Sequence, residues 1–313
     1  MTTITAWFKL IRPLNLFIVF ITQYFLNFFL LIPNFEKYGI LFSLDGFHFF
    51  LLVLSTIFIC AAGYIINDYY DVKSDSVNKP GKQVIGISVS KKKAIIGYYI
   101  ITLTGLLLSI YVAYKAGNIK LATIQGISIL LLYFYSYSYK KILLLGNFVV
   151  AFLTALSILS VGAYEPHIYE LQREGDYYIA GLVWKYLIGV AAFAFLLTLV
   201  REIIKDAEDI EGDNEIYVNS VPIAWGLNAA KGIVCAILCG IVALVFYIVF
   251  FGILKGNIIY LNYSLVLMIV LIFCCYYTIK ATHKKDFSFL SSLTKIIMLI
   301  GILFLPLYYI VNF

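Results

Sequence analysis

Apolar residues run in long, nearly unbroken stretches along this chain, and the polar positions gather in short clusters between them. Each stretch approaches the ~20 residues that a helix needs to cross ~30 Å of hydrocarbon. They lie near 14–32, 47–66, 94–114, 119–138, 143–163, 179–200, 228–253, 258–278 and 289–311, which predicts nine spans. The split between the third and fourth rests on Lys115, Gly117, Asn118 and Lys120, a polar break that predicts a helical hairpin. No stretch alternates apolar and polar residues in the manner of an outer-membrane barrel. The expected fold class is therefore all-α, a polytopic membrane bundle whose helices satisfy their own backbone groups in lipid. Composition agrees, since 63% hydrophobic and 17% aromatic residues over 313 positions exceed what one soluble core can bury. The first stretch follows Lys9 and Arg12, is too long for a signal-peptide core and shows no small-residue cleavage site, so it reads as a retained span. With no linker or low-complexity segment, residues 1–313 are expected to form one membrane-embedded domain.

Charge orients the bundle. Seventeen of the 23 Lys and Arg residues fall on one side of the predicted spans: Lys9, Arg12, Lys73, Lys79, Lys82, Lys91 to Lys93, Lys140, Lys141, Arg201, Lys205, Lys231, Lys280, Lys284, Lys285 and Lys295. Because basic loops stay in the cytoplasm, the N-terminus is expected there and the C-terminus outside, in a cell (inner) membrane. The net charge of +6 then reflects topology and contact with membrane lipids and is compatible with an anionic ligand, with no sign of nucleic acid. Cys60, Cys235, Cys239, Cys274 and Cys275 lie inside the stretches without a CxxC pair and read as packing residues. His48, His167 and His283 have no ligand spacing.

Acid is concentrated where two of the stretches end. NDYYDVKSD, residues 67–75, places Asp68, Asp71 and Asp75 at i, i+3 and i+7, and KDAEDIEGD, residues 205–213, repeats that spacing with Asp206, Asp209 and Asp213. On a helix such positions fall within roughly 60° of one another. The two sets are 138 residues and four spans apart, at equivalent ends, as in an internal pseudo-repeat that brings two acidic faces together. Facing carboxylates repel, so a cation is expected between them. Magnesium suits, because it takes one or two carboxylates together with substrate phosphates. Lys73, Lys79, Lys82, Arg201 and Lys205 beside the acids point to a ligand with negative charge of its own.

These segments resemble the two aspartate-rich motifs of the UbiA-type intramembrane prenyltransferases, and the likeness extends over essentially the whole chain. NDYYDVKSD matches the first motif, NDxxDxxxD; VNKPGK at 77–82 resembles the basic segment after it, with Gln83 where proline is common. RPLN at 12–15 is similar to the RPxN of the first helix, and YSYKKILLLGN at 137–147 to a loop with paired basic residues. REIIKDAEDIEGD, 201–213, looks most like the subgroup that makes digeranylgeranylglyceryl phosphate. VNSVPIAWG, 218–226, is similar to GxxTLPxxxG, with Tyr217 at the usual glycine position and Ser220 at the threonine.

The resemblance implies nine helices with two cytoplasmic Asp-rich loops, about 68–93 and 201–227, capping the active site. It implies two Mg²⁺ ions held by Asp68, Asp71, Asp75, Asp206, Asp209 and Asp213, and a prenyl diphosphate donor. Its catalytic residues would be Asp68, Asp71, Asp206, Asp209 and Lys205. Lys79, Lys82 and Arg201 would meet the diphosphate, and Lys140 and Lys141 an anionic lipophilic acceptor. Asn67 would bind metal-bound water or diphosphate, and Asn15 either that or an interhelical partner. Tyr64, Tyr69, Tyr70, Tyr135 and Tyr137 lie nearest the motifs as candidate shields for an allylic cation. The acceptor is expected to be geranylgeranylglyceryl phosphate, with an aromatic ring as the alternative. A cation transporter fits poorly, since no lone acid lies mid-span.

Overall fold

The computed structural model describes residues 3–313 apart from 40, 79, 82, 166, 171–176, 216 and 252–255. Among the described residues, nine helices are long and apolar enough to cross a membrane. A short helix, α1 (Thr3–Ile11), precedes them. The spans are α2 (Pro13–Tyr38), α3 (Gly46–Tyr70), α5 (Lys91–Lys115), α6 (Ile119–Tyr137), α7 (Leu145–Ala163), α8 (Tyr177–Glu208), α10 (Leu227–Phe250), α11 (Ile258–Lys280) and α12 (Lys284–Asn312). Two short helices, α4 (Val72–Asn78) and α9 (Ile210–Glu215), follow α3 and α8.

Local chemistry sets the ends of these helices. Pro13 occupies the first turn of α2, where its missing N–H costs nothing. Asp45, Ser90 and Asn257 cap α3, α5 and α11 by accepting from His48 N, Lys93 N and Ile259 N. A wider turn at Asn27–Leu31 interrupts α2, and Pro33 follows it.

Helix α3 is the central post. It packs against α2, α5 and α6, and Ser55 Oγ donates to Gly105 O of α5 at 2.8 Å. Helix α8 plays the same part in the other half, against α7, α10 and α12. Leu197, Val200, Ile203 and Ile204 on α8 share a core with Leu238, Leu271, Leu290 and Ile297. At the end of the bundle opposite the acidic residues, Phe35, Leu52, Tyr164 and Tyr308 close a second core.

The acidic segments differ from expectation in kind. Instead of loops, Asp68 and Asp206 stand in the last turns of α3 and α8, and α4 and α9 continue the chain as helix. The stretch expected at 179–200 runs on to Glu208, and 289–311 is part of Lys284–Asn312, with a turn at Leu303. Hydropathy marks where lipid contact ends, whereas helix propensity lets a charged tail continue past that point.

Candidate active site

Both acidic segments have the same backbone course. Asp71 N donates to Asn67 O at 3.0 Å and Asp75 N to Asp71 O at 2.8 Å; Asp209 N donates to Lys205 O at 2.9 Å and Asp213 N to Asp209 O at 3.1 Å. The middle aspartate of each set sits at the break between long and short helix, so the three carboxylates straddle a bend and do not share one straight helical face.

Helices α4 and α9 then pack directly on each other. Asn78 ties them, accepting from Gly212 N at 2.9 Å and donating to Asp209 O at 3.1 Å. A Cβ on Gly212 would come within 2.4 Å of Asn78 Nδ2 and 2.7 Å of Ser74 O, so this contact requires glycine. Ser74 Oγ donates to Asp213 Oδ1 at 3.4 Å, and Lys73 Nζ to Glu215 O at 3.1 Å. Lys284 Nζ, from the start of α12, reaches Asn78 O at 3.1 Å.

The individual carboxylates have different partners. Arg12 Nη2 meets Asp68 Oδ1 at 2.6 Å, and Lys140 Nζ bonds Asp71. Burial opposes the Arg12 charge, but Asp68 together with Tyr64 and Asp75 outweighs it and holds the guanidinium above its usual pKa. Arg12 has a left-handed backbone, φ 53° and ψ 65°, next to Pro13, which already denies it the ordinary helical region. A glycine at 146 lets α7 lie against the backbone of Lys140, where a Cβ would approach its Cα to 2.7 Å. Asp206 accepts from Asn147 Nδ2 at 2.8 Å. Burial, then Asp209 and Asp71, push the Asp213 carboxyl up to about 6.

Beneath the acids lies a cavity of about 250 Å³ between α2, α3, α6, α7, α8 and α12. Its mouth carries Arg12, Asn15, Tyr64 and Asn67 on one side and Arg201, Glu202, Lys205 and Lys295 on the other. Glu202 holds Arg201 at 2.7 Å and lies 3.9 Å from Lys205. The Arg201 Nε and the Asn67 Oδ1 are buried with no hydrogen-bond partner. An unspent donor and an unspent acceptor at the mouth suit a ligand that carries both anionic oxygens and a cation.

The profile of the UbiA prenyltransferase family matches residues 38–309. The chain belongs to the UbiA prenyltransferase family. It is an integral multi-pass membrane protein and an alkyl-transferring enzyme. A digeranylgeranylglyceryl phosphate synthase of Sulfolobus acidocaldarius is 32% identical over 233 residues, 72% of this chain and 74% of that one. A solved structure of digeranylgeranylglyceryl phosphate synthase shares 27% identity and a TM-score of 0.64, covering 100% of this chain and 99% of that one. A UbiA homologue from Archaeoglobus fulgidus, solved with dimethylallyl diphosphate (DMAPP) and Mg²⁺, is 16% identical with a TM-score of 0.56, over 95% and 97% of the chains, and shows the common fold.

The donor chemistry at the mouth of this UbiA-family site fits Mg²⁺. Two sets of carboxylates and the unpartnered Asn67 oxygen are hard ligands of the type it prefers. Among the described residues no three Asp, Glu, His or Cys side chains form a ready-made cage.

Of the residues singled out from sequence, Asn15, Asn67, Arg201 and Lys205 line the cavity, and Lys140 bonds Asp71. Asn15 hydrogen-bonds the Tyr64 hydroxyl, whose ring lies 4.8 Å from the Arg12 guanidinium. Tyr137 is 57% exposed, stacks on Tyr133 and does not line the cavity. The exposed Lys141 side chain also stays out, while its carbonyl accepts from Asn219 N at 3.1 Å. Lys79 and Lys82 lie outside the described residues. Sequence reading missed Asn78, Gly212, Asn147, Glu202 and Lys295 as parts of the site. Lys295 carried a usable signal, a lone lysine within an apolar stretch. Tyr217 is left-handed at φ 57°, which accounts for the glycine usual at that motif position.

Proposed function

We propose that this protein transfers a prenyl group from geranylgeranyl diphosphate to the free hydroxyl of geranylgeranylglyceryl phosphate, making the second ether of an archaeal-type lipid. The observation that carries the reading is the docking of two acidic helix ends over a cavity whose mouth is ringed by Arg12, Arg201, Lys205 and Lys295. The acceptor follows from the relatives of the same length and fold that are digeranylgeranylglyceryl phosphate synthases. Residues 1–313 act as one membrane-embedded domain, with the mouth in the cytoplasm, as the seventeen-to-six division of basic residues supports.

In this reading Asp68, Asp71, Asp75, Asp206, Asp209 and Asp213 hold Mg²⁺ together with the diphosphate, and Asn67 holds a bound water or a diphosphate oxygen. Mg²⁺, when bound, supplies positive charge that neutralises the departing pyrophosphate. Arg201 and Lys205 take the remaining diphosphate oxygens, the unpaired Arg201 Nε among its donors. Glu202 orients both cations toward the mouth. Fixed charges in a site shielded from water favour breakage of the bond between C1 and the diphosphate oxygen, whose electron pair leaves with pyrophosphate. Tyr64 and Tyr135 line the cavity and keep water from the cationic carbon left behind. Lys140 or Lys295 receives the acceptor phosphate, and the glycerol hydroxyl oxygen attacks C1 while its O–H bond breaks and its proton passes to the departing pyrophosphate.

The test is activity of the purified protein in lipid with Mg²⁺ and labelled geranylgeranyl diphosphate. Geranylgeranylglyceryl phosphate and 4-hydroxybenzoate are offered in parallel. Label in the glycerol ether supports the proposal, and label only in the aromatic product overturns the acceptor.

A further inference from the structure

The cavity ends on polar side chains. Three helices line this floor at one depth, with Thr56 from α3, Gln125 from α6, and Ser157 with Ser160 from α7, and Gln23 from α2 braces it from behind. Gln23 Nε2 donates to Ser157 O at 2.8 Å, with Thr56 Oγ1 at 3.4 Å and Ser160 Oγ at 3.5 Å. The Tyr164 hydroxyl donates to Gln125 Oε1 at 2.9 Å. Gln23 and Tyr164 are 0% exposed, Ser160 1% and Gln125 3%, and the Gln23 Oε1 is buried with no partner. Just beyond lies the closed core of Tyr164, Ile158 and Val161.

Such a floor is unusual under a cavity whose walls are Ile18, Val19, Ile59, Leu132 and Leu153. Its depth is the informative quantity. Thr56 is twelve residues from Asp68 along α3, Gln23 eleven from Arg12 along α2, Gln125 ten from Tyr135 along α6, and Ser160 thirteen from Asn147 along α7. At 1.5 Å of rise per residue, all four stand about 15–20 Å from the mouth. A geranylgeranyl chain has about sixteen backbone carbons, and at ~1.25 Å of advance per bond along an extended zigzag it measures about 19 Å. The next longer prenyl chain, with one more five-carbon unit, would extend about 5 Å further. To admit it, the floor would have to break its bonds between helices at a depth where no water replaces them, which leaves buried polar groups unpaired.

We infer that the floor of Thr56, Gln125 and Ser160, braced from behind by Gln23, is the ruler for the prenyl donor and sets it at twenty carbons. The inference rests on the reading that this cavity holds the prenyl chain of a diphosphate bound at the mouth.

Two variants move the floor in opposite directions. Ser128→Phe raises it. Ser128 lines the cavity one helical turn nearer the mouth than Gln125, and its hydroxyl bonds Ile124 O of its own helix, at 2.8 Å. Gln125→Ala lowers the floor. Wild type and both variants are given diphosphates of 10, 15, 20 and 25 carbons with Mg²⁺, read both as the rise in Tm on binding and as kcat/KM for transfer to geranylgeranylglyceryl phosphate. The wild type is expected to prefer 20 carbons on both readouts. Ser128→Phe is expected to shift the preference to 15 carbons, with kcat/KM for the 20-carbon donor down roughly tenfold. Gln125→Ala is expected to raise the 25-to-20 ratio roughly tenfold. An unchanged order of donors in the variants overturns the ruler even if wild-type transfer is robust, and the proposed function then stands without it. A length order that shifts in binding while no glycerol ether forms upholds the ruler and removes the acceptor. If Gln125→Ala fails to fold, Ser128→Phe decides alone.

Discussion

In the first acidic segment Asp68 faces Arg12 and Asp71 faces Lys140, whereas in the second Asp206 is held by the neutral amide of Asn147 and Asp213 by the Ser74 hydroxyl. The backbone is the same in both, a helix end that bends at the middle aspartate. The first segment spends its negative charge on positioning two basic side chains from other elements. The second has no direct ion pair among the described residues, and burial, with Asp209 and Asp71 nearby, raises the Asp213 carboxyl to about 6. Repetition of a motif therefore does not imply repetition of a role. Under the proposed function, one half of the mouth is an ion-paired frame and the other the stronger attractor for a cation.

The largest effects should come from removing carboxylates. Asp71→Ala and Asp209→Ala are each expected to lower kcat/KM by on the order of 10²–10³ or more. The comparison predicts that Asp209→Ala raises the Mg²⁺ concentration for half activity more than Asp71→Ala does. Equal shifts in a Mg²⁺ titration would break the proposed division of labour.

Next is the joint between the halves. Gly212→Ala drives a methyl into Asn78 and Ser74, and should cost about 1–3 kcal/mol and lower Tm. Activity should fall with it, because α4 and α9 would no longer hold the two acid sets over one mouth. Full activity in Gly212→Ala would show that the docking is dispensable.

A smaller effect concerns pH with Mg²⁺ chelated. The Asp213 carboxyl has a higher pKa folded than the ordinary Asp value near 4, so between about 4 and 6 the folded state binds more protons than the unfolded one. Stability should therefore fall as pH rises through that window, with the penalty fully present above it. Asp213→Asn should flatten Tm against pH there, and a flat wild-type profile would contradict an uncompensated second segment.

The smallest prediction concerns the turns that follow the two segments. A glycine, Gly81 at φ 72°, takes the left-handed position after the first, and Tyr217 at φ 57° takes it after the second. Tyr217→Gly should stabilise by up to about 1 kcal/mol with little change in kcat/KM, since the side chain is 89% exposed.

Much of this was legible in the chain. The nine spans followed from apolar length alone, because hydrocarbon thickness sets a length that few soluble segments imitate. The pairing of the acid sets followed from equal spacing at equivalent helix ends. Asn78 and Gly212 were not legible: neither residue type is distinctive, and their contact spans 134 positions and exists only because α4 and α9 cross at that point. Lys295 was counted as a surface charge, although it stands within an apolar stretch and lines the cavity. Tyr137 and Lys141, beside useful neighbours, turned outward, since one helical step of 100° separates Ser136, buried, from Tyr137, exposed.

The sequence by itself determined a membrane-embedded helical protein, the number of its spans, the sites of concentrated acid and the family to which it belongs. These are properties of composition and spacing, which apolar transfer and helix periodicity translate locally. Only the tertiary structure decided which cation neutralises which carboxylate, that the middle aspartates sit at bends, and how far the cavity extends below the mouth before Thr56 and Gln125 close it. Those depend on distances between helices remote in the chain, where a difference of one turn moves a side chain by about 5 Å and decides whether it meets a partner, the lipid or a ligand.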